Sequence, residues 1–268
     1  MKFTEIKSCY VGPLISPEQF IAEHFFLYLI KGKMEGYDGN KYYTLLPNEC
    51  CIVRKNHLAR YTKHKENSEF EKVVIIFDEP FLKSFVEKNK VPHVNYSSKE
   101  AFLSVKKSKL IPSYLQSLEP YYNGDGTIDK NFSELKREEL LLILLKLHPE
   151  YANIFFDFGK PGKINLEEFM NKNFKFNVSI ERFAYLTGRS LSAFKRDFGE
   201  IFNDTPNRWL VQRRLEEAHF LIEKKNRKPS DIYLELGFED LSHFSFAFKK
   251  YFGQTPTKLT GINKKTSR

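Results

Sequence analysis

Near the C-terminal end, hydroxyls, lysines and one arginine are interleaved with regularly spaced phenylalanines. Ser190, Ser192, Ala193, Lys195 and Arg196 fall between or beside Phe194, Phe198 and Phe202. Fifty positions later Ser242, His243, Ser245, Phe246, Lys249 and Lys250 are threaded in the same way through Phe244, Phe248 and Phe252. Aromatics spaced by four form one apolar stripe on a helix, so the intervening polar residues occupy the opposite face. A planar guanidinium can grip a guanine edge with two parallel hydrogen bonds, and Ser and His can bond base edges. Lysines can meet guanine or, as point charges, phosphate oxygens. On this chemistry Arg196 is the candidate for a bidentate guanine contact and Lys195 for guanine or phosphate. Lys249 and Lys250 are candidates for steadying the backbone.

The elements that must carry these side chains are written twice. Leu191-Ser192, the three aromatics and Thr205-Pro206 recur as Leu241-Ser242, three aromatics and Thr255-Pro256, every residue identical at plus fifty. Thr-Pro is a helix start, with Thr at the N-cap and Pro at the first helical position. Each stripe is preceded by a short helical stretch stopped by glycine, Ser179 to Gly188 and Pro229 to Gly237, with Ser179 and Ser230 suited to N-caps. Helix, glycine turn and second helix is the helix-turn-helix arrangement, expected at about 179–202 and 229–252. Between the copies, Pro206 to about Glu223 contains no internal Pro or Gly. A helix of ~18 residues is ~27 Å long, close to the ~34 Å between successive major-groove faces. Such a spacer predicts one chain reading a bipartite, non-palindromic site in double-stranded DNA.

Together the dual motif, WLVQRRLEEA from Trp209 to Ala218, the Gly237–Phe244 segment GFEDLSHF and FKKYFGQTP from Phe248 to Pro256 resemble the DNA-binding domain of the AraC/XylS family of bacterial transcription regulators. The resemblance covers roughly a hundred residues. It implies a dimeric, nucleoid-associated regulator that pairs protomers through helices and recruits RNA polymerase as an activator; the cytoplasm is the expected compartment and no cofactor is expected. It also implies control through the N-terminal half by a small molecule or a protein. One departure stands out: Phe246 holds a position where the family commonly has arginine. Phe246 either touches a thymine methyl or packs inward, and a weaker or shape-read second half-site is the favoured expectation.

Charge and length agree. The chain has 268 residues and a formal net charge of +9, room for two cores. From Lys163 onward there are 20 Lys and Arg against 13 Asp and Glu, so most of the excess lies with the repeat, as phosphate neutralisation requires. No apolar run reaches bilayer length and no leader segment is evident. Cys9, Cys50 and Cys51 offer neither CxxC nor an even framework.

The fold expected is α+β: short strands with regular turns imply a small barrel or sandwich within 1–158, an arrangement that resembles the family's cupin-like β-barrel with its dimerisation helices, followed by a linker at 159–164 and an all-α dual helix-turn-helix domain at 165–262. Strands are expected at Phe25–Ile30, Tyr42–Leu46, Cys50–Arg54 and Val73–Phe77, with a hairpin turn at Asp38-Gly39. Helices are expected at Ser98–Leu118 and Phe132–His148. They either pair two protomers, the favoured reading, or cover the barrel. Asn165 with Glu168 forms a capping box. Metal binding at His57 and His64 lacks convergent ligands, and Cys50-Cys51 read as small buried thiols. No phosphate-cradling loop or catalytic triad is present. The chain is therefore read as no enzyme. The competing readings are a DNA-tethered cupin-type or alkyl-transfer enzyme, and a non-specific architectural binder.

Overall fold

The computed structural model describes residues 8–9, 19–91, 96–123 and 127–259. The chain divides into two compact units, 1–16 with 21–159 and 17–20 with 160–268. The first is rich in sheet and the second helical, an α+β protein.

In chain order the first unit carries β1 (Ser8–Cys9), β2 (Phe20–Ile21, its first residue grouped with the second unit), β3 (His24–Lys31), β4 (Lys33–Tyr37), β5 (Tyr42–Leu45), β6 (Cys50–Val53), β7 (His57–Leu58), β8 (Arg60–His64) and β9 (Glu71–Phe77). Then follow α1 (Glu79–Lys88), β10 (Phe102–Ser104), α2 (Leu110–Gln116), α3 (Lys130–Leu147) and α4 (Ala152–Phe155). The expected strands and the Asp38-Gly39 turn are present. Gly39 is left-handed at φ +89°, and the Asp38 carboxylate accepts from the Asn40 and Lys41 amides at 2.9 Å each.

The strands do not close into a barrel among the described residues. Five form an antiparallel sheet in the order β1-β9-β3-β6-β10, and β5-β4-β8 form another. The chain changes sheets between β3 and β4. A register shift interrupts the β3–β9 ladder between Leu29 and Lys31, and Gly32 then turns at φ +86°. A Cβ there would lie 2.6 Å from the His64 carbonyl oxygen, so the corner requires glycine.

β3 shows why its sequence is an unbroken apolar run: it is covered on both sides. Phe26 and Tyr28 join Ile52, Val73, Ile75 and Phe77 beneath the helices, against Leu82, Phe85, Ile111, Leu140, Leu141 and Leu144. Leu27 and Leu29 point the other way, into a second core with Met34, Leu45, Tyr61 and Phe102. The unit is thus helices, large sheet and small sheet in layers.

The Ser98–Leu118 helix is a misreading. Phe102–Ser104 instead pairs with β6, Phe102 opposite Val53 and Ser104 opposite Cys51, and only Leu110–Gln116 is helical. α3 matches its expectation. Leu140, Leu141 and Leu144 cover the sheet, while Phe132, Leu135 and Leu142 are exposed.

The second unit contains α5 (Leu166–Asn173), α6 (Ile180–Leu186), α7 (Leu191–Phe202), α8 (Pro206–Lys225), α9 (Pro229–Ile232) and α10 (Leu241–Phe252). Asn165 caps α5, its side chain accepting from the Glu168 amide at 2.9 Å.

Candidate nucleic-acid interface

α6, the Gly188 turn and α7 form one helix pair; α9, the Gly237 turn and α10 form the other. Both glycines are left-handed, at φ +67° and +80°. α7 starts on Ser190, whose hydroxyl accepts from the Ala193 amide at 3.3 Å. α10 starts on Asp240, whose carboxylate accepts from the His243 amide at 2.6 Å. Ser179 occupies the N-cap of α6 without a side-chain capping bond. Ser230 is not an N-cap: Lys228 holds that position and α9 opens on Pro229. Proline's fixed φ favours the first helical position and starts the helix two residues early. α9 is also only four residues long, shorter than the sequence pattern implies.

The phenylalanine stripes are internal, as their spacing requires. Phe194, Phe198, Phe244 and Phe248 are fully buried. α8 is the spine for both pairs. Near its start, Trp209 meets Phe198 and Phe202 with ring centroids 5.6 and 4.6 Å away. Ten residues on, His219 takes the corresponding place against Phe248 and Phe252, at 6.2 and 4.7 Å. Trp209 is therefore a core anchor. The helix runs for 20 residues, ~30 Å at 1.5 Å per residue.

The polar faces point away from these cores. Ser190, Ser192, Lys195 and Arg196 are exposed on α7 and its cap, with Ala193 partly covered. On α10, Ser242, His243, Phe246, Lys249 and Lys250 are exposed and Ser245 is partly covered. Phe246 is 69% exposed, so the inward-packed alternative is excluded. Arg196 donates from Nη2 to the Asp197 carboxylate at 2.9 Å, and Arg189 holds the other carboxylate oxygen through Nε at 3.0 Å. Arg189 and then Arg196 keep the Asp197 carboxyl below the usual carboxylate range. Arg196 itself is exposed and solvent screens the pair, so Arg196 can exchange Asp197 for another acceptor at little cost.

Arg214 is the functional-unit residue that sequence reading missed. It is buried on α8 and donates to three carbonyls: Nε to Phe174 at 2.7 Å, Nη2 to Phe176 at 2.8 Å and Nη1 to Gly237 at 3.0 Å. It ties the spine to the segment after α5 and to the second turn. Burial lowers its pKa to about 10. The available signal was spacing: Leu210, Arg214, Ala218 and Ile222 recur every four residues, which places the arginine on the inward stripe.

Residues 183–261 match a family profile described as a helix-turn-helix domain, and residues 24–154 match one described as the ExsA N-terminal regulatory domain. The chain belongs to the AraC/XylS family. Among similar members, the virulence regulon transcriptional activator VirF of Yersinia enterocolitica is 31% identical over 134 residues, 48% of this chain and 49% of that protein. The HTH-type transcriptional regulator ExsA of Pseudomonas aeruginosa is 23% identical over 237 residues, 86% of this chain and 83% of that one. The chain thus spans about half the length of the Yersinia relative that it matches. ToxT from Vibrio cholerae aligns at 14% identity over 96% of each chain, with a TM-score of 0.40.

Proposed function

We propose that this family member is a sequence-specific transcription regulator whose α7 and α10 read two adjacent major-groove segments of one duplex. The observation that carries the reading is the pairing of two helices that bury the same phenylalanine face and expose a donor-rich face, both built on α8. Lys195, Lys249 and Lys250 supply phosphate contacts, Arg196 a base contact, and Ser190, Ser192, Ala193, Ser242, His243, Ser245 and Phe246 complete the two faces. Activation is the sense of regulation that the relatives' names support, and contact with RNA polymerase is the route we propose for it. The exposed Phe132, Leu135 and Leu142 on α3 support its use as a homodimer contact.

Control enters through the first unit, by a small molecule or a protein. A cavity of about 630 Å³ between its sheets and α2, lined by Tyr28, Met34, Tyr43, Cys50, Phe102 and Ile111, is the seat we assign to a small effector. The enzyme reading has little support at the thiols. Burial pushes the Cys50 pKa up to about 12 and raises that of Cys51 further, so both are neutral, weak nucleophiles at cellular pH. Of the two histidines weighed as metal ligands, His57 bonds the Lys55 carbonyl and His64 pairs with Glu35. No helix among the described residues is long and apolar enough to cross a membrane.

The test is selection of duplexes from a random pool by the full chain, followed by footprinting. Two protected blocks about one helical turn (~34 Å) apart are expected, whereas one block, or equal affinity for scrambled DNA, overturns the reading. Arg196→Ala should relax discrimination at one base pair at a cost of ~1–3 kcal/mol. Uniform weakening across sequences would instead make Arg196 a phosphate contact.

A further inference from the structure

Phe246 occupies the place on α10 that Arg196 occupies on α7, fifty residues earlier. An isolated exposed phenylalanine on a protein surface is ordinary; what distinguishes this one is its setting. Its neighbours along the helix at three and four residues are Ser242, His243, Lys249 and Lys250, the exposed polar members of the same face. The ring therefore stands 69% exposed in the middle of a donor-rich, cationic surface, on a helix held by the Asp240 cap and the buried Phe244 and Phe248. Leu241, at the start of the same helix, is also exposed.

A ring in that position has no polar atom to offer a base edge. In the major groove the one apolar group on any base is the thymine 5-methyl. Guanine and adenine present polar edges there and cytosine only a C5–H beside its amino group, so a phenyl ring pressed against them would strip water from polar atoms without replacing its hydrogen bonds and would find no methyl to cover. We propose that Phe246 is a specificity-determining residue that packs on a thymine 5-methyl, so that the two halves of the site are read by different chemistry. Arg196 selects guanine by hydrogen bonding in one block, and Phe246 selects thymine by apolar contact in the other. Lys249 and Lys250, one turn further along, hold the backbone that sets the ring's depth in the groove. The inference rests on α10 being a groove-reading helix.

The test uses the full chain and duplexes selected by it from a random pool. A thymine is expected at one fixed place in the second block. Replacing it with deoxyuridine removes only the methyl group, and should weaken binding about fourfold, the equivalent of one buried methyl-sized group. Phe246→Ala should bind the thymine and uracil duplexes equally, and Phe246→Arg should move the preference at that place towards guanine. The wild-type comparison of the two duplexes needs no variant, so it stands even if a substitution perturbs folding. Two selected blocks with no fixed thymine in the second, or equal wild-type affinity for thymine and uracil, overturn the proposal alone. Discrimination that persists in Phe246→Ala also overturns it, since another residue would then read the methyl. Selection of no block at all sinks the groove-reading assignment together with it.

Discussion

Arg214 and Arg196 show how little residue type says about role until its position is known. Both are arginines within twenty residues of one another, yet one is interior and the other is on the surface. Arg214 satisfies three buried carbonyls with its fork of donors, an arrangement that a single ammonium cannot reproduce. Arg214→Met should destabilise the second unit by about 3 kcal/mol or more, because the Phe174, Phe176 and Gly237 carbonyls lose their donors together. Arg214→Lys should recover only part of that loss. Urea unfolding followed by emission of Trp209, the chain's one tryptophan and a member of this unit, measures both. A loss below about 1 kcal/mol would show that water replaces the guanidinium freely. At this scale the sequence displayed the groove faces well, since they are what remains once the phenylalanine stripes are assigned to the core. It concealed Arg214 because an arginine on an apolar stripe is read by its charge and not by its register.

At the scale of elements, the glycine turns are the parts with least tolerance. A Cβ on Gly188 would sit 2.4 Å from the Gly162 carbonyl carbon, and its φ is +67°. Gly188→Ala meets both penalties, about 1–2 kcal/mol for the left-handed backbone and a further cost for displacing main chain. Gly199, inside α7, has nothing within 4 Å of the same atom; there alanine should stabilise by up to about 1 kcal/mol through helix propensity. The paired substitutions should thus move the thermal midpoint in opposite directions in calorimetry, and a common direction would refute the turn's role. The same contrast explains what was legible. Helix period, glycine stop and cap appear in local sequence, so α5, α6, α7, α8 and α10 could be read directly. Phe102–Ser104 could not, because its strand character comes from β6, some fifty residues away, and nothing local opposes a helix. Barrel closure failed for a related reason. The hairpins are local, but the register shift at Leu29–Lys31 and the turn at Gly32 that send the chain to another sheet are set by packing.

At the scale of the whole molecule, acid should act first on the sheet-rich unit. Its His24 is buried, and Nδ1 accepts the Lys55 amide at 3.3 Å, which requires a neutral ring nitrogen. Burial, then Lys55 and Arg54, lower the His24 pKa to about 3, while burial and Arg54 lower that of His57 to about 4. An unfolded chain titrates these rings near the ordinary value of about 6.5. Above that pH both states are neutral at these sites and stability is complete. Below it the unfolded state takes up two protons that the fold refuses, so stability falls as the medium is acidified. Two such groups give a slope of ~2.7 kcal/mol per pH unit between about pH 6 and pH 4.5. Glu35 is held low by the Lys33 hydrogen bond, and at Asp38 burial raises the carboxyl but hydrogen bonds from the Lys41 amide, Tyr43 and the Asn40 amide outweigh it; both add losses of the same sign only below about pH 4.5, so they leave that window to the histidines. Hydrogen exchange of the β3 and β9 amides between pH 7.5 and 5 reports this unit, while Trp209 emission reports the other. Protection in β3 and β9 should decline with acid, and His24→Gln with His57→Gln should flatten the decline. Protection that stays level from pH 7.5 to 5 in the native chain would mean that the imidazoles are charged in the fold, and that the cationic surroundings of His24 do not hold it neutral.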